Sequence, residues 1–299
     1  MKRRVIQIAN STQLISLPRK WALKNNIKKG DELEVTMDGP QLTVGTTRKP
    51  EPESYKINFP RGSLYIRRAL STLYKLGYDE VEISYDDPAL INQIKPHCDE
   101  LLGFEIIQQS SKRCVVKNVA LTMESEFDNI LRRIFLMLVS FGRESYAAIS
   151  AKEFASLEGL ADLEKTNNRL SYFCERVLNK YGYPEHKREC MLHTLVGILE
   201  QVADAFGFIC HHLAKRPQAK LSPQSMEVFV AVVDLTDQAY QLFYNFDLDK
   251  LAEFKTQKKK VENEGYESMK SKMSEDDILV THHLMVISYL LHHATECMI

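Results

Sequence analysis

The rhythm of apolar and polar positions changes twice along the chain. Over residues 1–47 the apolar residues fall two apart in short runs, "RRVIQI", "QLISL", "DELEVTM" and "QLTVGT", the period of a half-buried strand. "ANST" and Asp38-Gly39-Pro40 place turn formers between them, which predicts two hairpins. Pro18 precedes "RKWALK", where its preset φ and missing N–H suit the first turn of a short helix ending at Asn25-Asn26. Two hairpins and one helical turn enclose little core, so this unit is expected to need a second copy of itself.

Residues 48–54, "RKPEPES", carry two prolines and no apolar side chain and read as a linker. Residues 55–119 alternate in type. "SLYIRRALSTLYKLGY" has helical spacing and stops at Gly77, and "EVEISYD" reads as a strand. "DPALINQIKPHCDELLG" is helical with a break at Pro96, and "FEIIQQ" and "RCVVKNV" are strands. This is a small α/β unit with no phosphate-cradling glycine loop and no catalytic constellation.

From 120 to 299 the helical period holds throughout. It predicts helices over 122–142, 152–181, 185–214, 222–246, 248–271 and 275–297. The breaks fall at Gly142, Gly182-Tyr183-Pro184, the Arg216-Pro217 and Ser222-Pro223 region, Asp247 and Ser274. Six long helices with short turns predict an antiparallel bundle or two three-helix bundles in series. The expected fold is therefore multidomain: a small β-rich N-terminal domain, a small α/β middle unit and an all-α C-terminal region.

Composition adds a sharper distinction. The 299 residues are 44% apolar and 26% charged, enough for two or three cores. Net charge is only −1, yet residues 1–50 hold ten Lys or Arg against four acids, so the head is +6 and the rest −7. A basic head on an acidic body points to a polyanion at one end only. The six cysteines are scattered with no CxxC pair, which suits free thiols in a reducing cytoplasm. No stretch of eighteen apolar residues and no signal-peptide core is present, so no membrane insertion is expected.

The run "STQLISLPRKWALKNNIKKGDELEV...GPQLTV" resembles the AbrB/MazE/SpoVT swapped-hairpin family over residues 3–46. The resemblance implies an interleaved homodimer that presents basic side chains to DNA. Many members carry Gly-Arg where this chain has Thr12-Gln13, which shifts the DNA contacts expected here to Lys2, Arg3, Arg4, Arg19, Lys20 and Lys24. In the helical region, "LVGILEQVADAFGFICHHLA" resembles the PhoU family of phosphate-signalling proteins, with Glu200 and Asp204 at the positions of its acidic metal signature. "EKTNNRLSYFCERVL" resembles the family's second-helix pattern, with Glu164 kept and Asn168 in place of the second acid. In the second half the acidic positions appear as Met285 and Tyr289. The resemblance implies two three-helix bundles and one surviving metal signature. The whole layout resembles archaeal phosphate-uptake regulators.

The spacing itself carries part of this. Residues four apart share a helix face, and His193 and His211 lie seven residues from Glu200 and Asp204 on either side, a stripe about 40° wide. Carboxylates with imidazoles on a bundle helix suit iron, manganese, nickel or zinc better than calcium. A solvated, salt-bridged helix face fits the same spacing. His282, Tyr289, His293 and Glu296 also fall near one stripe, as a substitute ligand set or as ordinary surface and core residues.

The functional expectation is a transcriptional regulator of phosphate uptake and no enzyme. Its head would bind DNA, and its body would carry a metal and sense phosphate status, directly or through a transporter ATPase or a signalling protein. The alternative is an accessory regulator of a phosphate transporter that acts through protein contacts while the head only dimerises.

Overall fold

The computed structural model describes residues 1–9, 11–46, 52–60, 65–120, 124–270 and 273–298. It divides into two compact units, 1–51 and 52–299. Most of the expected linker, residues 48–51, lies outside the described residues.

In the first unit β1 (Ile6–Ile8) pairs antiparallel with β2 (Thr12–Leu14), placing Ile6 opposite Leu14. Helix α1 (Arg19–Lys24) follows, with Pro18 as its N-cap at φ −62°. It stops where expected: the Asn25 amide Nδ2 donates to the Trp21 carbonyl at 2.9 Å, and Asn26 turns left-handed at φ 52°. A second hairpin joins β3 (Glu34–Asp38) to β4 (Gln41–Gly45) through Gly39, at φ 53°. Val35 faces Val44 and Met37 faces Leu42 across it. The two hairpins are separate two-stranded sheets, each with one apolar face.

The second unit opens on a four-stranded sheet. Its strands are β5 (Ser54–Phe59), β6 (Glu80–Tyr85), β7 (Phe104–Gln109) and β8 (Arg113–Asn118), in the order β5-β6-β8-β7, with only the β5–β6 pair parallel. Helices α2 (Ile66–Lys75) and α3 (Ile91–Asp99) supply Ile66, Leu70, Tyr74, Ile94 and Cys98 to its core. Two sequence expectations change here. Strand β5 begins at Ser54, inside the expected linker, because β6 offers it a parallel edge that the local composition does not reveal. Pro96 does not break α3: it is exposed, and the Asn92 carbonyl it leaves unpaired is on an exposed residue that water can reach.

The helical region contains α4 (Phe127–Ala151), α5 (Leu157–Tyr181), α6 (His186–Ala214), α7 (Pro223–Tyr244), α8 (Leu248–Lys270) and α9 (Glu275–Ala294). Helices α4, α5 and α6 pack on one another, as do α7, α8 and α9, and the two trios join through α6 on α9 and α4 on α7. The pair of three-helix bundles thus lies side by side over one continuous core. Gly142 does not end a helix. Alpha-helix α4 runs through it to Ala151 because Gly142 is a packing glycine: a Cβ there would stand 3.0 Å from the Phe206 ring and 3.3 Å from Val233. By length and composition α4 and α6 could each cross a membrane, but about half of each apolar stretch is buried in this core.

One arginine fastens the α/β unit to the bundle. Arg176 of α5 is 3% exposed; its Nη1 donates to the carbonyls of Tyr74 and Tyr78 at 2.9 and 2.7 Å, and its Nη2 reaches Asp79 at 2.7 Å. The guanidinium lies over the Tyr74 and Phe104 rings, and Lys180 also pairs with Asp79. Lys75 meets Glu175 at 2.9 Å. Carbonyls at the C-terminal end of α2 and one buried carboxylate are thereby satisfied from α5.

Candidate functional site

Two places on the chain carry chemistry, one in each unit. In the head, Lys2, Arg3, Arg4, Arg19, Lys20 and Lys24 are all exposed. Arg19, Lys20 and Lys24 belong to α1, and Lys2, Arg3 and Arg4 lead into β1. Among the described residues of this unit no side chain is buried. Val5, Ile6, Ile8, Leu14, Ile15, Leu23, Val35, Met37 and Leu42 remain 44–80% exposed. That is an apolar face with no core behind it, beside a field of cations.

The second place is the seam between α5 and α6. Glu164, Asn167, Asn168, Ser171, Tyr172 and Glu175 fall at helical spacing on one side of α5. Glu200 and Asp204 on α6 are coupled to that stripe. Asn168 Nδ2 points at Asp204 Oδ1, 3.5 Å away, and Tyr172 lies beside Glu200, so that burial and then the Glu200 charge hold its phenol up. Glu164 lies close enough to Asp204 for the two carboxyls to influence each other's charge. Burial pushes Glu164 and Glu200 up from the ordinary carboxylate range, and the Asp204 charge pushes them further. Asp204 is raised as well, by burial, against the opposing hydrogen bonds from Asn168 and Glu164. Gly207 lets Glu164 lie against α6: a Cβ at that position would stand 2.6 Å from Glu164 Oε2. Several buried polar atoms on the stripe have no hydrogen-bond partner, namely both side-chain atoms of Asn167, Asn168 Oδ1 and Ser171 Oγ.

The five residues expected to hold metal are not brought together. Glu164, Asp204 and Glu200 form the coupled acid set, while His211 is near enough to Glu164 to lower it but pairs with Glu158 at 3.5 Å. His193 lies two turns back along α6, about 10 Å from Glu200 along the axis, too far for one coordination shell. Among the described residues no three His, Cys, Asp or Glu side chains converge closely enough to hold one metal ion. In the second-half stripe Tyr289 meets His293 edge to face, and His293 sits 3.8 Å from Glu296 on an exposed side of α9.

With this geometry established, the chain was compared with known proteins. Residues 6–55 match the family model MazE_antitoxin, described as antidote-toxin recognition MazE, bacterial antitoxin. The head is similar to MazE-type antitoxin domains. No curated protein matches the chain significantly, and no solved structure does. The matched residues cover the head and reach β5, and the match does not extend into the helical region.

Sequence reasoning missed Arg67, Lys75, Tyr172 and Arg176. A signal for Tyr172 was present: a polar residue every three or four positions along α5, on a side of the helix that its apolar flanks predict to be buried. Arg67 and Lys75 belong to the site only because α2 is docked on α5, which local sequence does not encode.

Proposed function

We propose that this chain is a DNA-binding transcriptional regulator whose helical body reports phosphate status to a dimeric MazE-type head. The observation that carries this reading is the head itself: ten Lys and Arg in residues 1–50, on a module whose apolar residues face outward for want of a partner copy. Lys and Arg contacts to phosphates supply non-specific DNA affinity, and two copies double the field. The body is proposed to be PhoU-like and non-enzymatic, a regulator of phosphate uptake and homeostasis. Signalling needs a ligand that binds two states of the body unequally, and the buried acid seam beside the α/β joint offers a place where a change of charge would be felt. The residues present do not fit a resident metal in this arrangement, so no step is routed through one.

A second reading follows from the description of the matched family, an antitoxin-type regulator whose body occupies a toxin partner. One experiment separates the readings. Binding of the full chain and of a deletion of residues 1–51 is measured on DNA from upstream of phosphate-transport genes across a salt series. A dimer that neutralises about six phosphates gives a log–log salt slope of about −5, abolished by the deletion. Binding no stronger than to random DNA would overturn the regulator assignment.

A further inference from the structure

A cleft of about 650 Å³ opens where α2 crosses the bundle. One wall is the polar side of α2, with Arg67, Arg68, Ser71, Thr72 and Lys75 at helical spacing; the other is Tyr172 of α5 and Glu200 of α6. Three cations thus line it against one carboxylate. Two of the cations are partly engaged, Arg67 with Glu100 at 3.0 Å and Lys75 with Glu175 at 2.9 Å. Arg68 is exposed and makes no ion pair among the described residues. Cations interleaved with hydroxyl donors make an oxyanion site, because each oxygen can accept a charge-assisted hydrogen bond.

Glu200 makes such a site selective. A carboxylate in an anion cleft repels any oxyanion that has no proton to give it. Sulfate has none near neutral pH, and a phosphomonoester has lost most of its second proton. Inorganic phosphate still carries one, and its hydroxyl can donate to Glu200 while Arg68 and the Thr72 hydroxyl hold the remaining oxygens, the Ser71 hydroxyl donating to the Arg68 carbonyl. Tyr172 lines the same wall beside Glu200.

We infer that the cleft between α2 and the α5–α6 seam binds inorganic phosphate, with Arg68, Arg67 and Lys75 as the cationic contacts and Glu200 as the acceptor that excludes fully deprotonated oxyanions. This deepens the phosphate-sensing half of the proposed function and rests on it. The bound anion bridges the α/β unit and the bundle, so its occupancy is felt at the joint held by Arg176.

The test is calorimetric titration of the full chain near pH 7.5 with inorganic phosphate, sulfate and glycerol phosphate. Phosphate is expected to bind, with sulfate and glycerol phosphate at least tenfold weaker. Arg68→Ala should weaken phosphate by about tenfold or more, with Arg68→Lys in between. Glu200→Gln should let sulfate bind comparably to phosphate, because the amide offers a donor where the carboxylate repelled. No phosphate binding at millimolar concentration, sulfate binding equal to phosphate in the unaltered chain, or an unchanged affinity in Arg68→Ala would each overturn the assignment. Tighter binding of glycerol phosphate than of phosphate would overturn the ligand's identity. DNA binding measured on the same sample in phosphate-free buffer keeps the two readings apart. A chain that holds DNA but no phosphate sinks the cleft alone, and a chain that holds phosphate but no DNA sinks the regulator.

Discussion

At Gly207 the helix seam has room for a hydrogen and not for a methyl, since a Cβ would come within 2.6 Å of Glu164 Oε2 and 3.2 Å of Glu164 Cβ. In an open helix, glycine to alanine gains up to about 1 kcal/mol. Here the overlap should reverse the sign, so Gly207→Ala is expected to cost about 1–3 kcal/mol. The same substitution made in a Glu164→Ala background should stabilise. Thermal melts of the four proteins in this double-mutant cycle check it, and additive effects would mean that Glu164 does not lie against Gly207. Arg176 works in the opposite sense, as a buried cation fully used. Arg176→Met removes its bonds to the Tyr74 and Tyr78 carbonyls and to Asp79, and is expected to cost about 3–5 kcal/mol by denaturant unfolding. A loss below about 1 kcal/mol would mean that the clamp on the α/β unit does not hold it.

Between helices, two groups of acids give the protein opposite responses to pH. In the α5–α6 seam, burial and then mutual repulsion raise Glu164 and Glu200, and burial raises Asp204 despite its hydrogen bonds. A carboxyl raised on folding contributes stability that is complete below its unfolded value, about 4, and is lost as pH rises through its folded value. At the start of α9 Asp277 runs the other way. Burial would raise it, but donors from the Ser222 N–H and the Ser274 and Ser225 hydroxyls outweigh that and lower it. Its stabilisation is present above about pH 4 and lost as pH falls below that. The melting temperature should therefore rise from neutral to mildly acidic pH and fall again on further acidification. Glu200→Gln should flatten the neutral limb while leaving the acid limb; an unchanged neutral limb would mean that Glu200 is not among the groups responsible. The capping box at Ser274 is a local device of the same helix, and Ser274→Ala is expected to cost about 1 kcal/mol in a melt.

At the scale of the molecule, the decisive feature is a head without an interior. Nothing in the described part of residues 1–46 is buried, whereas the unit from 52 onward has two cores of its own. Two-stranded hairpins alone are marginal in water, so the stability of the head must come from a second copy. Light scattering should find the full chain dimeric and residues 52–299 monomeric. The head's thermal transition should move upward with protein concentration, while that of the body stays fixed. A monomeric full chain would remove the basis for a doubled DNA-binding surface.

Periodicity along the chain determined the order and type of nearly all elements, because each buries one face and the spacing of apolar residues records it. The turn at Asn25-Asn26, the two hairpins and the six long helices were legible for this reason. So were the basic head and the resemblance of residues 3–46 to the AbrB/MazE/SpoVT family, which the MazE match over residues 6–55 supports, since cations and turn residues act where they stand in the sequence. Other features depended on what packs against them. Gly142 and Pro96 look like breaks, yet one meets Phe206 and the other meets water. Strand β5 exists because β6 lends it an edge. The acids Glu164, Glu200 and Asp204 became one coupled set while His193 stayed two turns away and His211 paired with Glu158, because a shared helix face sets direction but not depth or partner. The cleft of Arg67, Arg68 and Lys75 over Glu200 joins residues more than a hundred positions apart, and only the docking of α2 on α5 decided it.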